Sequence, residues 1–226
     1  MNIVVYDSGV GGRLVFQSLE QYLSQNKITT QIHLHYFADS AHYPYGTKSE
    51  VELKEIVFDN LKVFQKVGFD CVALACNTAS AVVENNWAER RDTISCLRTI
   101  VRPTVDVVNR NPEQYPAIFV IASQFTADNH IYQKAIHRVQ PKIEIIEQAN
   151  QVLINHIEMD LEKEIESEVA AIVAQVPDGF ALLWGCTHFS FAKAIFYREM
   201  KKQSKNFKII DPAEELTKAV IKYIEE

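Results

Sequence analysis

The sequence predicts an α/β protein that consists of two similar halves, each with a largely parallel β-sheet. Two observations lead to this prediction: short apolar runs alternate with segments of helical spacing, and one stretch of the first half recurs in the second. Strands that alternate with helices are typical of parallel pairing, because parallel neighbours need a long crossover between them. The 226 residues suffice for one large domain or for two of about 100 residues each.

The first half begins with a short β-rich run that is closed by a turn containing three glycines. Apolar residues at helical spacing follow this turn, and Gly68 is expected to end the second helix. The third strand is almost uniformly apolar, which is typical of a strand buried on both faces. The predicted elements are strands at residues 3–6, 33–37 and 71–75 and helices after residue 12 and at residues 49–67.

The second half repeats this alternation after a polar region that contains two prolines. One long helix is expected from the apolar face between Ile154 and Val176. Asp211 and Pro212 supply an N-cap and a first-turn proline for the last helix. The predicted elements are strands at residues 117–122, 143–146 and 207–210 and helices at residues 129–139, 154–176 and 213–226.

The repeated stretch consists of Gly-Phe, a buried strand, and a cysteine with small hydrogen-bonding residues after it. It ends in Cys-Asn-Thr at residues 76–78 and in Cys-Thr-His at residues 186–188, so the two cysteines are 110 positions apart. Two similar α/β halves would produce a repeat of this length. We expect the last strand and helix to return to the first half. The predicted domains are residues 1–97 plus 209–226, with Cys76, and residues 98–208, with Cys186.

Composition and charge exclude several classes of protein. With 47% apolar and 23% charged residues, the chain is typical of a globular protein and not of a disordered one. The formal net charge of −6 and the pI near 5.7 argue against a nucleic-acid partner. The apolar stretches are well below the ~18 residues of a membrane span, and the N-terminus lacks the pattern of a signal peptide. We therefore expect a cytoplasmic protein without a membrane partner.

Two of the four cysteines are candidates for chemistry. The chain has no Cys-x-x-Cys pair and no zinc-ligand spacing, so neither a disulfide framework nor structural zinc is expected. Cys71 lies within a predicted strand and Cys96 in a polar stretch, and we interpret both as structural. Cys76 and Cys186 each open a polar loop at a strand end, where open parallel sheets bind their ligands.

Two thiols that face each other across a cleft suit the inversion of a carbon centre. One removes a proton from one face of the carbon, and the other supplies a proton to the opposite face. The reference pKa of a thiol, ~8.5, is close enough to neutral pH for both roles. A carbon between the sulfurs would separate them by roughly 7 Å. A peroxidatic and resolving pair, the rival interpretation, would have to approach to ~2.05 Å.

Six short motifs are distributed along nearly the whole length of the chain. They are Asp-Ser-Gly-Val-Gly-Gly at residues 7–12, Asp-Ser at 39–40, Pro-Tyr-Gly at 44–46, Cys-Asn-Thr-Ala at 76–79, Gly-Cys-Thr-His at 185–188 and Asp-Pro-Ala-Glu at 211–214. In these motifs and their order, the chain resembles the cofactor-independent aspartate/glutamate racemases. The first motif favours the glutamate branch of that family.

The resemblance implies two pseudo-symmetric Rossmann-like α/β domains with the active site at their interface. It implies racemisation of glutamate without a cofactor or metal, to supply D-glutamate for peptidoglycan, and it suggests a homodimer. Cys76 and Cys186 would be the opposed bases, with Asp7 supporting the first and His188 and Glu158 the second. The residues expected to bind the amino and carboxylate groups of the substrate are Asp7, Ser8, Tyr45, Gly46, Asn77, Thr78, Thr126, Thr187 and His188.

The chain also departs from the family pattern. It has Asn150-Gln151 where the family commonly has Cys-Pro, and the loop before Glu158 is therefore altered. Aspartate or another acidic amino acid is thus an alternative substrate. A second alternative is a diverged binding protein that kept the pocket and lost turnover, and a third is a thiol redox protein.

Overall fold

The chain folds into two four-stranded sheets, and every strand pair among the described residues is parallel. The structure, a computed structural model, describes residues 1–28, 31–86, 88 and 96–226. Its strands are β1 (Asn2–Asp7), β2 (His33–Ala38), β3 (Cys71–Leu74), β4 (Leu97–Thr99), β5 (Ala117–Ala122), β6 (Glu144–Ala149), β7 (Ala181–Gly185) and β8 (Ile209–Ile210). Its helices are α1 (Arg13–Gln25), α2 (Glu50–Val67), α3 (Asn77–Asn85), α4 (Val101–Arg110), α5 (Gln124–Asp128), α6 (Ile131–His137), α7 (Gln151–Glu158), α8 (Glu162–Gln175), α9 (Lys193–Lys202) and α10 (Pro212–Glu225).

The two sheets have the same strand order. It is β2-β1-β3-β4 in the first sheet and β6-β5-β7-β8 in the second, so each strand of one sheet has a counterpart in the other. β1 and β5 are central, and their inner residues are completely buried because helices cover both faces. The predicted fold class, two pseudo-symmetric parallel α/β units, is confirmed.

Local sequence signals set several helix boundaries where they were predicted. The Ser49 side chain accepts a hydrogen bond from the backbone of Glu52 and caps α2, and Gly68 ends that helix at φ 89°. A side chain would be strained in this left-handed conformation, which glycine adopts freely. Asp211 caps α10 through the Ala213 amide, with Pro212 in the first turn.

Three helical predictions for the second half differ from the structure. The long helix predicted for residues 154–176 is wrong: it divides into α7 and α8, because the backbone turns at Asp160, which has φ 55°. Aspartate tolerates this conformation better than most residues. The helix predicted for 129–139 is shorter and follows a separate short helix, α5. Helix α4 was missed because Pro103 was taken as a loop signal, although a first turn accepts proline.

The end of the chain joins both sheets. β8 pairs with β7 in the second sheet, which differs from the placement of residues 209–210 with the first half. The strand has two residues and fits beside the open edge of β7, a contact that periodicity cannot reveal. α10 then packs against α1 and α4. The division of the chain into two domains stays a prediction. Within the described ranges, no helix has the length and apolar character needed to cross a bilayer.

Candidate active site

The carboxyl ends of the central strands of both sheets surround one small cavity of about 20 Å³. In parallel sheets, this edge brings together the loops that follow each strand. The cavity is lined by Asp7, Ser8, Tyr43, Pro44, Tyr45, Gly46, Cys76, Asn77, Thr78, Ser123, Gln151, Ile154, Cys186, Thr187 and His188. Both cysteines selected from the sequence therefore reach the same cavity.

The thiol of Cys76 is held at the N-terminus of α3. The side chain is 6% exposed, and its sulfur accepts from the amide of Ala79 at 3.5 Å and lies 3.5 Å from the Ser8 hydroxyl. Burial, followed by the nearby carboxylate of Asp7, raises the pKa of Cys76 to about 12. At neutral pH, Cys76 therefore carries its proton and can act as an acid.

The thiol of Cys186 faces a different environment. It is partly buried, and its sulfur lies 3.5 Å from Nδ1 of His188. The other ring nitrogen, Nε2, lies 2.5 Å from Oε2 of Glu158. Burial alone would lower the pKa of His188, but Cys186, Glu158 and Asp7 outweigh it and raise this pKa to about 10. His188 is consequently an imidazolium at neutral pH and donates from both nitrogens.

Glu158 balances the charge of His188 from behind the cavity. The hydrogen bond from His188 lowers the pKa of Glu158, in spite of partial burial. The same carboxylate accepts from the amide of Val10 at 3.4 Å, and Val10 belongs to the glycine-rich turn after β1. The pair therefore joins the turn of the first half to the Cys-Thr-His loop of the second.

Asp7 makes a second connection between the halves. Its Oδ2 accepts from the Thr187 hydroxyl at 3.1 Å, and its Oδ1 accepts from the amide of Gly9 at 2.9 Å. The side chain is 1% exposed, and burial raises the pKa of Asp7 while the charge of His188 opposes that rise. Asp7 thus places a carboxyl group between the two thiol-bearing loops.

Neutral hydrogen-bonding groups occupy the rest of the cavity wall. The hydroxyls of Thr78 and Ser123 are 2.8 Å apart, which connects α3 with the N-terminus of α5. Oδ1 of Asn77 accepts from the Tyr132 hydroxyl at 2.5 Å, while its Nδ2 is buried without a hydrogen-bond partner among the described residues. An unpartnered buried donor in a cavity wall is available to a ligand.

Ten of the predicted site residues line the cavity, and two lie beside it. Glu158 contacts the wall through His188. Thr126, which was expected to bind the substrate, accepts a hydrogen bond from Ser123 at 3.0 Å and is absent from the described lining. Thr126 lies one short helical turn beyond the end of β5. It therefore contacts the lining residue Ser123 and is not itself part of the cavity wall.

Sequence reasoning did not assign Tyr43, Pro44, Ser123, Gln151 or Ile154 to the site, although Pro44 stands in one of the motifs. Ser123 follows β5 as Ser8 follows β1, so the repeat contained a signal for it. Gln151 stands at one of the departures from the family pattern. Tyr43 and Ile154 carried no signal, since only the folded chain brings them to the cavity.

The fold and the site define a class of protein in which two pseudo-symmetric parallel α/β units each contribute a strand-end cysteine to one shared cavity. The glutamate racemase 3 of Caldanaerobacter subterraneus subsp. tengcongensis is 30% identical over 226 residues, which cover 98% of this chain and 78% of that protein. The glutamate racemase of Microcystis aeruginosa is 30% identical over 230 residues, with 99% and 76% covered. The chain belongs to the glutamate racemase family.

Solved structures show the same fold. Glutamate racemase from Francisella tularensis subsp. tularensis in complex with D-glutamate superimposes with a TM-score of 0.83 at 24% identity, covering 99% of this chain and 81% of that one. The Escherichia coli glutamate racemase in complex with L-glutamate and an activator gives a TM-score of 0.70 at 19% identity, covering 100% and 82%. No protein-family profile matches the chain.

Proposed function

We propose that the protein interconverts L- and D-glutamate by proton transfer between the substrate α-carbon and two cysteines, without a cofactor. The observation that carries this proposal is the meeting of Cys76 and Cys186 in one cavity, each with different polar support. The relatives that share the fold are glutamate racemases, and the solved complexes contain D- and L-glutamate.

The unlike surroundings of the thiols suggest how one direction of the reaction begins. The imidazolium of His188 lies beside the sulfur of Cys186, so we assign Cys186 as the base that takes the α-proton as the Cα–H bond breaks. Cys76, which holds its proton at neutral pH, then donates that proton to the opposite face of the carbon. The roles are exchanged after one turnover, and the reverse reaction uses Cys76 as the base.

Other groups of the cavity would stabilise the intermediate. The departing α-proton leaves negative charge that spreads onto the α-carboxylate, and the free Nδ2 of Asn77 can donate to it. Asp7 suits the α-ammonium group, because a buried carboxyl group gains from a cation beside it. We also infer that the product D-glutamate supplies peptidoglycan in the cytoplasm of a bacterium and that the protein is a homodimer.

Solvent deuterium incorporation at the α-carbon tests the proposal. Wild type is expected to exchange and invert glutamate faster than aspartate or glutamine, whereas Cys76→Ser and Cys186→Ser should each abolish inversion. Cys96→Ser is the matched control, because this buried cysteine lies beside Cys71 and away from the cavity. If the reduced wild type exchanges no acidic amino acid, the enzyme interpretation fails and a binding protein takes its place.

A further inference from the structure

Gln151, the first residue of α7, presents an unusual group to the cavity. Its side-chain oxygen Oε1 is buried and has no hydrogen-bond partner among the described residues. Gln151 is also a departure from the family pattern, so this group is a property of this chain. A buried acceptor without a partner is costly to the fold, and such a group in a cavity wall indicates that a ligand completes it.

Gln151 forms part of the cavity wall together with Gly46 and Ser123. A Cβ atom placed on Gly46 would lie 2.5 Å from Oε1 of Gln151 and 2.7 Å from Cβ of Ser123, so these three residues are in close contact. The reacting carbon must lie between Cys76 and Cys186, whose hydrogen-bond partners are Ser8 and Ala79 for the first and His188 for the second. We therefore assign the wall at Gln151 to a group that extends from the carbon. The side chain of an amino-acid substrate is such a group.

The amide of Gln151 can turn either of its atoms towards the cavity. At present Nε2 donates to Oδ1 of Asn155, one helical turn further on, at 3.1 Å. If both amide groups rotate by half a turn, Nδ2 of Asn155 donates to Oε1 of Gln151, and Nε2 of Gln151 faces the cavity. The pair keeps its hydrogen bond in both states.

An acidic ligand in this cavity needs neutral hydrogen-bond donors such as Nε2 of Gln151, because the cavity lining carries little positive charge. Among the described residues that line the cavity, His188 carries the one positive charge, and it is engaged by Glu158 and Cys186. A carboxylate at the far end of a substrate therefore depends on neutral donors. A carboxylate accepts hydrogen bonds only, so it selects the state in which Nε2 faces the cavity.

We propose that Gln151 is a specificity-determining residue whose Nε2 binds the side-chain carboxylate of the substrate, with Asn155 as its positioning residue. This inference rests on the proposed function. It predicts an effect on substrate binding more than on proton transfer, because Gln151 is hydrogen-bonded to Asn155 and to neither thiol. A contact that is equal in the ground state and the transition state changes KM and leaves kcat unaltered.

Steady-state kinetics of three variants test the inference. Gln151→Leu removes the donor at similar length and should raise KM for glutamate about tenfold or more, with kcat within about twofold. Gln151→Glu places a like charge against the carboxylate and should raise KM further. Asn155→Asp can only accept, so it holds Nε2 away from the cavity and should lower the preference for glutamate over glutamine. Gln175→Leu, at the exposed end of α8, is the matched control and should change nothing.

The outcomes separate this inference from the proposed function. If wild type racemises glutamate and Gln151→Leu keeps its KM, the inference is overturned and the function stands. A loss of kcat with unchanged KM would also overturn it. If wild type shows no exchange, both fail together. Thermal unfolding is measured for each variant to show that it is folded. If Gln151→Leu does not fold, the two isosteric substitutions Gln151→Glu and Asn155→Asp decide the question.

Discussion

Replacing Glu158 by glutamine removes the negative charge that faces Nε2 of His188 at 2.5 Å and leaves the side-chain volume nearly unchanged. The raised pKa of His188 depends on Cys186 first and then on this carboxylate and Asp7, which together outweigh burial. We expect the variant to keep its fold and to release the imidazolium proton at a much lower pH than wild type.

Coulomb's law sets an upper bound on the effect. Charge centres about 4 Å apart in a medium of effective dielectric constant about 20 attract by roughly 4 kcal/mol. Since 1.36 kcal/mol corresponds to one pKa unit, loss of Glu158 lowers the pKa of His188 by up to about three, and Cys186 and Asp7 continue to raise it. Its value therefore falls from about 10 towards neutrality. The alkaline limb of the pH profile for glutamate turnover should move by the same amount.

The raised pKa of His188 also makes the stability of the folded protein depend on pH. A histidine whose folded pKa is raised stabilises the folded state fully below its unfolded pKa of about 6.5. In wild type, this contribution is lost as the pH rises through the folded pKa of about 10. In Glu158→Gln, the contribution should be smaller and should be lost at a lower pH than in wild type. The difference between the two proteins is measured by urea unfolding at a series of pH values.

Nuclear magnetic resonance of the imidazole nitrogens measures the pKa directly, with His188→Asn to assign the signal. Glu147→Gln is the matched control, because Glu147 contacts His130 at 2.9 Å in an equivalent carboxylate–imidazole pair outside the cavity. The control should leave the His188 signal unchanged. A wild-type pKa near 6.5, or an unchanged pKa in Glu158→Gln, would refute the reasoning.

Two further predictions concern packing. Gly11→Ala would place a Cβ 2.2 Å from the Thr187 hydroxyl and 2.9 Å from its Cβ, so the glycine-rich turn after β1 and the loop that carries Cys186 must separate. We expect glutamate turnover to fall at least about 100-fold, and near-normal turnover would contradict the contact. Asp39→Ala removes the buried carboxylate that accepts from the Tyr45 hydroxyl at 2.5 Å, and should cost about 2 to 3 kcal/mol in urea unfolding. Asp59→Ala, whose side chain is 71% exposed, should cost less than about 0.5 kcal/mol, and equal losses would show that Asp39 has no special role.

The parts of the fold that could be predicted depend on local patterns. The strands at residues 3–6, 71–75 and 117–122 and the helix at 49–67 follow from apolar periodicity and caps, which act over a few residues. The missed features depend on conformations that neighbours alone do not determine. Asp160 at φ 55° divides a helix that periodicity joins, and β8 exists because the edge of β7 is open to it.

The features of the site likewise fall into those that the sequence predicts and those that depend on the tertiary structure. The sequence by itself determined which residue types stand at the strand ends, because a parallel sheet brings those ends to one edge, and this placed Cys76 and Cys186 in one cavity. Only the tertiary structure decided how their properties differ. Glu158 acts on His188 across 30 positions of the chain, and Thr187 donates to Asp7 across 180. Hydrogen bonds and burial of this range set the pKa values of His188 and Cys76, and no local pattern contains them.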